Sequence, residues 1–205
     1  MNDEADILVY SSSNPAAASF AYERLLRYTD AADLQQKRIT QAKQLIQPSP
    51  SESADTDDPE LMMARFRQAQ KQYEKVLVEI HFYLISWVTC QNMMKMLSEL
   101  EESQAACAYY KEKGSVFARY RNARHFLEHF DERLPGQKNV RIMNTITAPG
   151  AAPRTNYGGI TRDMQFTYSD SSCDVSAESV HHLKQLVSEF LSRWREDLNR
   201  EGRPS

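Results

Sequence analysis

Apolar residues recur at steps of three and four along most of this chain, the spacing that places them on one face of an α-helix. A first helix is predicted from Asn14, as its cap, through Pro15 at the first position, to about residue 46. A second starts near Pro59 and extends to about residue 102. At about 60 Å it is longer than a compact bundle needs, so a bend or a break is expected. A short third helix reaches about Tyr110.

Two more helices complete the predicted set. The fourth spans about residues 116–134 and stops before the Pro135-Gly136 pair. Its predicted packing face consists of Val116, Tyr120, Ala123, Leu127, Phe130 and Leu134. Its predicted polar face consists of Arg121, His125, Glu128 and Glu132. The fifth helix has Ser176 as its N-cap and continues to about residue 198.

Between the last two helices the pattern changes to strands. Residues 140–147 and 159–168 alternate in polarity and are rich in β-branched side chains, which predicts an antiparallel hairpin with a long loop. Residues 47–59, mainly proline, serine and aspartate, predict a mobile linker. The chain is therefore predicted to be one mainly α domain over residues 1–205. It is a four- to five-helix bundle with a small antiparallel β-hairpin, at about 140–170, inserted before the last helix.

Composition and charge narrow the functional classes. The 205 residues are 41% hydrophobic, enough for one sizeable core, and the formal net charge of −3 restricts any RNA contact to a local surface. The three cysteines, Cys90, Cys107 and Cys173, are odd in number and form no CxxC pair, which argues against a disulfide framework and predicts a cytoplasmic protein. No apolar run is long enough for a signal peptide or a membrane span, so no membrane contact is expected.

The most distinctive segment is residues 119–129. Within about three turns it carries Arg119, Arg121, Arg124, His125 and His129. Arg124 with His129 and Arg119 with His125 both have an Arg-x4-6-His spacing, and a polar residue directly follows Arg124. This pattern resembles the motif of the HEPN ribonucleases. The resemblance implies a helical bundle that forms a homodimer and cleaves RNA without metal or other cofactor, as in toxin or phage-defence systems of bacteria.

The residue types fit that chemistry. When a ribose 2′-hydroxyl attacks the adjacent phosphate, a histidine can take and return the proton near neutral pH, and a guanidinium can hold the charged phosphate. We assign these roles to His129, with His125 beside it, and to Arg124. The candidate RNA-binding residues are Arg119, Arg121 and Asn122. Glu128 has two alternatives: it orients a histidine, or it pairs with Arg124 four residues earlier, which would oppose RNA binding.

Two other interpretations compete with RNA cleavage. One is a non-catalytic helical interaction protein whose Arg/His face contacts a protein partner or a second copy. The other is a metal held by His125 and His129, but no third ligand has an obvious place in the sequence, so no metal is predicted. Of the adjacent pair His181-His182, only one ring could reach such a site. His81, within the most apolar helix, is expected to be a hydrogen-bonded core residue.

Overall fold

The computed structural model describes residues 12–46, 59–100, 104–129, 159–169 and 171–201. These residues form five helices and a three-stranded antiparallel sheet. The predicted mainly α architecture, with a small antiparallel β element before the last helix, is therefore confirmed. The predicted linker up to residue 58 and the first predicted strand, at 140–147, lie outside the described residues.

The helix starts follow the capping residues. In chain order the helices are α1 (Pro15–Gln44), α2 (Pro59–Leu100), α3 (Gln104–Glu112), α4 (Gly114–Glu128) and α5 (Ala177–Glu201). The Asn14 side chain accepts a hydrogen bond from the N–H of Ala17 at 3.2 Å, and the Ser176 hydroxyl accepts one from the N–H of Ser179 at 3.4 Å. Both bonds satisfy amide groups that the first turn of a helix leaves without an intrahelical partner.

Helices α1 and α2 form the longest pair, and they are antiparallel. The hydroxyl of Ser13 donates to the carbonyl of Leu100 at 3.0 Å, and farther along Thr29 lies 3.6 Å from the sulfur of Cys90. A bend or a break is predicted for α2; the helix is uninterrupted over 42 residues, so the break does not occur. Its sequence holds no glycine or proline after the first position, the usual causes of a sharp kink.

An aromatic cluster joins α2 to α4. Trp87 is fully buried and stacks on Tyr120 with ring centroids 3.7 Å apart and an interplanar angle of 6°. Phe117 and Tyr83 meet the same indole edge-on, at 5.8 and 6.5 Å. This cluster fixes the face that α4 turns to the core.

The packing face of α4 differs in part from the predicted one. Its buried residues are Phe117, Tyr120, Ala123 and Phe126. The predicted core residues Val116 and Leu127 are only half-buried, because the stripe is set by Phe117, which reaches Trp87, and by Phe126, which reaches Phe166 of the sheet. The helix ends at Glu128 with His129 as C-cap, earlier than the predicted end; residues 130–134 lie outside the described residues.

The sheet consists of β1 (Gly159–Ile160), β2 (Gln165–Tyr168) and β3 (Ser171–Asp174), in that order. The prediction of one strand over 159–168 is wrong, since this segment folds back on itself through residues 161–164, where Met164 has a φ of 57°. Lys43, at the end of α1, donates to the carbonyls of Thr161 and Arg162 at 2.6 and 2.7 Å. A tertiary contact to these carbonyls thus favours a turn where the alternation of the sequence favoured a strand.

The sheet packs on α4 through the inward side chains of β2. Phe166 and Tyr168 are buried, and Phe166 pairs in register with Cys173 of β3. The hydroxyl of Tyr168 donates to the carbonyl of Arg119 at 2.8 Å. This docking brings β3 and the first turn of α5 alongside the N-terminal half of α4.

Candidate functional site

Four of the candidate residues share one arc of α4 and its C-cap. Arg121, Asn122 and His125 are exposed, and His129 is the capping residue. At 3.6 residues per turn, the four positions fall within about 100° around the helix axis. The rings of His125 and His129 have centroids 4.3 Å apart and an interplanar angle of 62°. We call these four residues the Arg/His surface.

Arg124 lies at one side of this arc and is paired. Its Nε donates to Oε1 of Glu128 at 2.7 Å, and Nε2 of His81, on α2, is 3.7 Å from the same oxygen. The hydrogen bond from Arg124, and then its charge, hold the pKa of Glu128 below its ordinary value, so this carboxylate stays ionised. The sequence left two roles open for Glu128, orienting a histidine or pairing with Arg124; in the structure it pairs with Arg124.

His81 differs from its prediction. Its ring is half-buried between α2 and α4, and among the described residues its Nε2 has no hydrogen-bond partner. At 3.7 Å, the Glu128 oxygen is within ion-pair distance but beyond a normal hydrogen bond. The expected hydrogen-bonded core histidine is thus a residue of the α2–α4 interface.

Helix geometry separates the two Arg–His pairs that the sequence spacing suggested. Five residues, as from Arg124 to His129, correspond to about 140° around a helix, and six, as from Arg119 to His125, to about 120°. Arg124 and Arg119 therefore flank the buried stripe of α4 on opposite sides. The structure brings His125 next to His129 and gives each of these two arginines a different environment.

Arg119 lines a cavity of about 500 Å³ between α4, the sheet and the first turns of α5. Burial raises the pKa of Tyr168 to about 12, so its hydroxyl keeps the proton that it donates to the Arg119 carbonyl. The Arg119 guanidinium forms no hydrogen bond or ion pair with the rest of the described chain. Unlike Arg124, it is therefore a candidate arginine whose donors are available.

Sequence reasoning missed the residues that share this cavity with Arg119. Asp174, Glu178 and Ser179 line it together with His182. The one local signal was their position around the helix cap Ser176, which indicated only a helix start. Nothing in the spacing of these residues predicts that α4, some 50 residues earlier in the sequence, would lie against them.

Two properties of the described residues bear on other classes of function. Within the five described ranges, no group of three or more His, Cys, Asp or Glu side chains is placed to hold a metal ion. None of the helices in that part of the chain combines the length and the apolar composition needed to cross a membrane.

Comparison with known proteins gives no match: no protein-family model, no curated protein and no solved structure matches this chain. The resemblance to HEPN ribonucleases therefore rests on the Arg/His spacing and on the succession of helices.

Proposed function

We propose that the Arg/His surface of α4 binds RNA and cleaves it without a metal ion, the activity that the HEPN resemblance implies. The single observation that carries the proposal is the contact between the two imidazole rings, at 4.3 Å, on an arc that also presents Arg121 and Asn122. Cleavage by 2′-hydroxyl attack needs a base for that hydroxyl and an acid for the leaving 5′-oxygen. Neighbouring imidazoles of His125 and His129 supply both.

The arginine that faces the phosphate is assigned differently from the sequence motif. Arg124 already donates its Nε to Glu128, and the ionised carboxylate repels an incoming phosphate. Arg121 is exposed, four residues before His125, and therefore on the same side of the helix. Its guanidinium offers two parallel donors to phosphate oxygens as negative charge grows on them. Arg121 is the proposed phosphate contact, and Asn122 a supporting hydrogen-bond donor.

The proposal is tested by incubating the purified full chain with mixed RNA in EDTA. His125→Ala and His129→Ala should each slow cleavage by about 100-fold or more, as expected for loss of a general acid or base. His181→Ala, an exposed histidine on α5, is the matched control and should cleave like the unaltered protein. RNA that stays intact, or equal cleavage by all three variants, rules out the enzyme.

A second experiment distinguishes the arginines. Arg121→Gln should weaken RNA retention and flatten its dependence on salt, because each phosphate that a cationic side chain neutralises releases about one counterion on binding. Arg124→Gln removes the same charge from a side chain already paired with Glu128, so its effect should be smaller. Equal weakening in the two variants would show that only the net charge of the helix matters.

One observation favours a second candidate function, a non-catalytic helical protein whose Arg/His surface contacts a protein partner. Beside this surface, Glu128 pairs with Arg124 and lies 3.7 Å from Nε2 of His81, so an arginine and a histidine of this region serve to hold α4 against α2. This candidate predicts no RNA product from any variant. Under either candidate, Glu128→Gln should lower the free energy of unfolding by about 0.5 kcal/mol, the usual contribution of an exposed pair four residues apart.

The homodimer and the toxin or phage-defence role stay proposals that follow from the resemblance. Light scattering of the purified chain should give twice the monomer mass if the homodimer forms. Induced expression in bacteria should arrest growth, and His129→Ala should relieve the arrest. Growth that is the same with both proteins would leave no support for a toxin.

A further inference from the structure

The cavity beside Arg119 is separate from the Arg/His surface and has its own chemistry. It measures about 500 Å³, within the range of small-molecule sites. The side chains that decide its chemistry are Arg119, Tyr120, Asp174, Glu178, Ser179 and His182. They come from α4, from the end of β3 and from the first turns of α5, so three elements line it.

The charges in this cavity do not neutralise one another. Arg119 supplies one guanidinium, and Asp174 and Glu178 supply two carboxylates, yet within the described residues Arg119 forms no ion pair with either. A guanidinium and a carboxylate form strong, often bidentate hydrogen bonds when they meet. Here opposite charges line one cavity with no ion pair between them among the described residues, so a ligand of complementary charge can bridge them.

Both carboxylates are held by local bonds that leave acceptor capacity. Asp174 accepts from the N–H of Ser176 through Oδ1 at 2.9 Å. Hydrogen bonds from its own N–H and from the Ser176 hydroxyl lower the pKa of Glu178, so it stays ionised. An ionised carboxylate has about four lone-pair directions. Each group can therefore receive a further donor without giving up its place at the helix cap.

Two of the lining residues are held by contacts within the fold. The Ser179 hydroxyl donates to the carbonyl of Ser176 at 2.7 Å and is 2.6 Å from the hydroxyl of Tyr83. Tyr120 is buried and stacked on Trp87. Because these groups already have partners within the fold, binding does not have to order them.

We propose that this cavity binds a small basic α-amino acid of the lysine type, with its carboxylate against Arg119 and its two amino groups toward Asp174 and Glu178. Such a ligand carries one negative and two positive charges, the inverse of the charges in the wall. The two carboxylates would repel a phosphate or a nucleotide. The assignment is independent of RNA cleavage, since none of the four residues of the Arg/His surface lines the cavity.

The test is calorimetric titration of the full chain with L-lysine, cadaverine, norleucine and AMP. Cadaverine lacks the carboxylate and norleucine lacks the side-chain amine, so each should bind about tenfold or more weakly than L-lysine, and AMP more weakly still. Arg119→Gln should weaken L-lysine about tenfold and leave cadaverine within about twofold. Arg121→Gln, an exposed arginine two residues away and outside the cavity, is the matched control and should change neither.

Each remaining outcome overturns the proposal. If millimolar L-lysine gives no binding heat, the proposed site does not exist. Tighter binding of AMP than of L-lysine contradicts the proposed charge complementarity. Equal weakening by Arg119→Gln and Arg121→Gln would show attraction by the surface as a whole. The comparison of L-lysine with cadaverine uses the unaltered protein, so it does not depend on the folding of any variant.

Discussion

The bond between Tyr83 and Ser179 offers a sharp test of how the last helix is attached to the core. The two hydroxyl oxygens are 2.6 Å apart. Since Ser179 donates its proton to the carbonyl of Ser176, Tyr83 must be the donor between them. Tyr83 is fully buried, so its hydroxyl cannot exchange this partner for water. Removing either one therefore has a predictable and unequal cost.

The magnitudes follow from what each substitution leaves behind. Tyr83→Phe removes one buried hydrogen bond and should lower the free energy of unfolding by about 1 kcal/mol. Ser179→Ala leaves the Tyr83 hydroxyl buried without its acceptor and should cost about 2 kcal/mol. In the Ser179→Ala background, Tyr83→Phe should leave the free energy of unfolding unchanged or raise it, because it removes the hydroxyl that has lost its acceptor. The coupling energy of the cycle should be about 1 kcal/mol or more.

Urea unfolding of the four proteins measures the cycle. With a slope of about 2 kcal/mol/M, a decrease of about 1 kcal/mol moves the midpoint by about 0.5 M. The matched control is Tyr110→Phe combined with Ser179→Ala, since Tyr110 is half-buried and its hydroxyl bonds to Gln91 rather than to Ser179. Additive effects of Tyr83→Phe and Ser179→Ala, like those of the control pair, would show that the two hydroxyls are not coupled.

Three further predictions concern buried groups. Burial raises the pKa of Cys90 and of Tyr168 to about 12, and it also raises the pKa of Tyr83 and of Tyr120. The folded chain keeps these protons, whereas the unfolded chain loses them from about pH 8.5 for cysteine and pH 10 for tyrosine. The free energy of unfolding should therefore fall between about pH 9 and 12. Urea titrations with the same midpoint at about pH 8 and pH 10 would contradict this. Cys107 is half-buried whereas Cys90 and Cys173 are buried, so a thiol reagent should modify one cysteine quickly, and Cys107→Ser should abolish that fast phase. Asp197 accepts hydrogen bonds from the N–H groups of Ala105 and Ala106 at 3.0 and 3.3 Å. Asp197→Ala should therefore lower the free energy of unfolding by about 2 kcal/mol and speed amide exchange in α3, and Asp197→Asn should lower it less. Unchanged exchange would show that α3 does not need this cap.

Local sequence signals accounted for most of the helices. The Asn14-Pro15 pair and Ser176 mark helix starts because their side chains or ring geometry act on the adjacent turn alone. The strand pattern was less informative. Alternation over residues 159–168 predicted one strand, but Lys43 and the positive φ of Met164 turn the chain inside that segment. A contact from a residue more than 100 positions away has no trace in the local pattern.

The sequence by itself determined that this protein is mainly helical, where most helices begin, and that arginine and histidine are concentrated near residue 125, because these depend on neighbours within a turn or two. Tertiary structure decided which arginine is paired with Glu128 near α2 and which lies open beside Asp174 and Glu178. The physical reason is that charge pairing and cavity walls depend on distances between elements, and side chains about 140° apart around one helix meet different neighbours whatever their spacing along the chain.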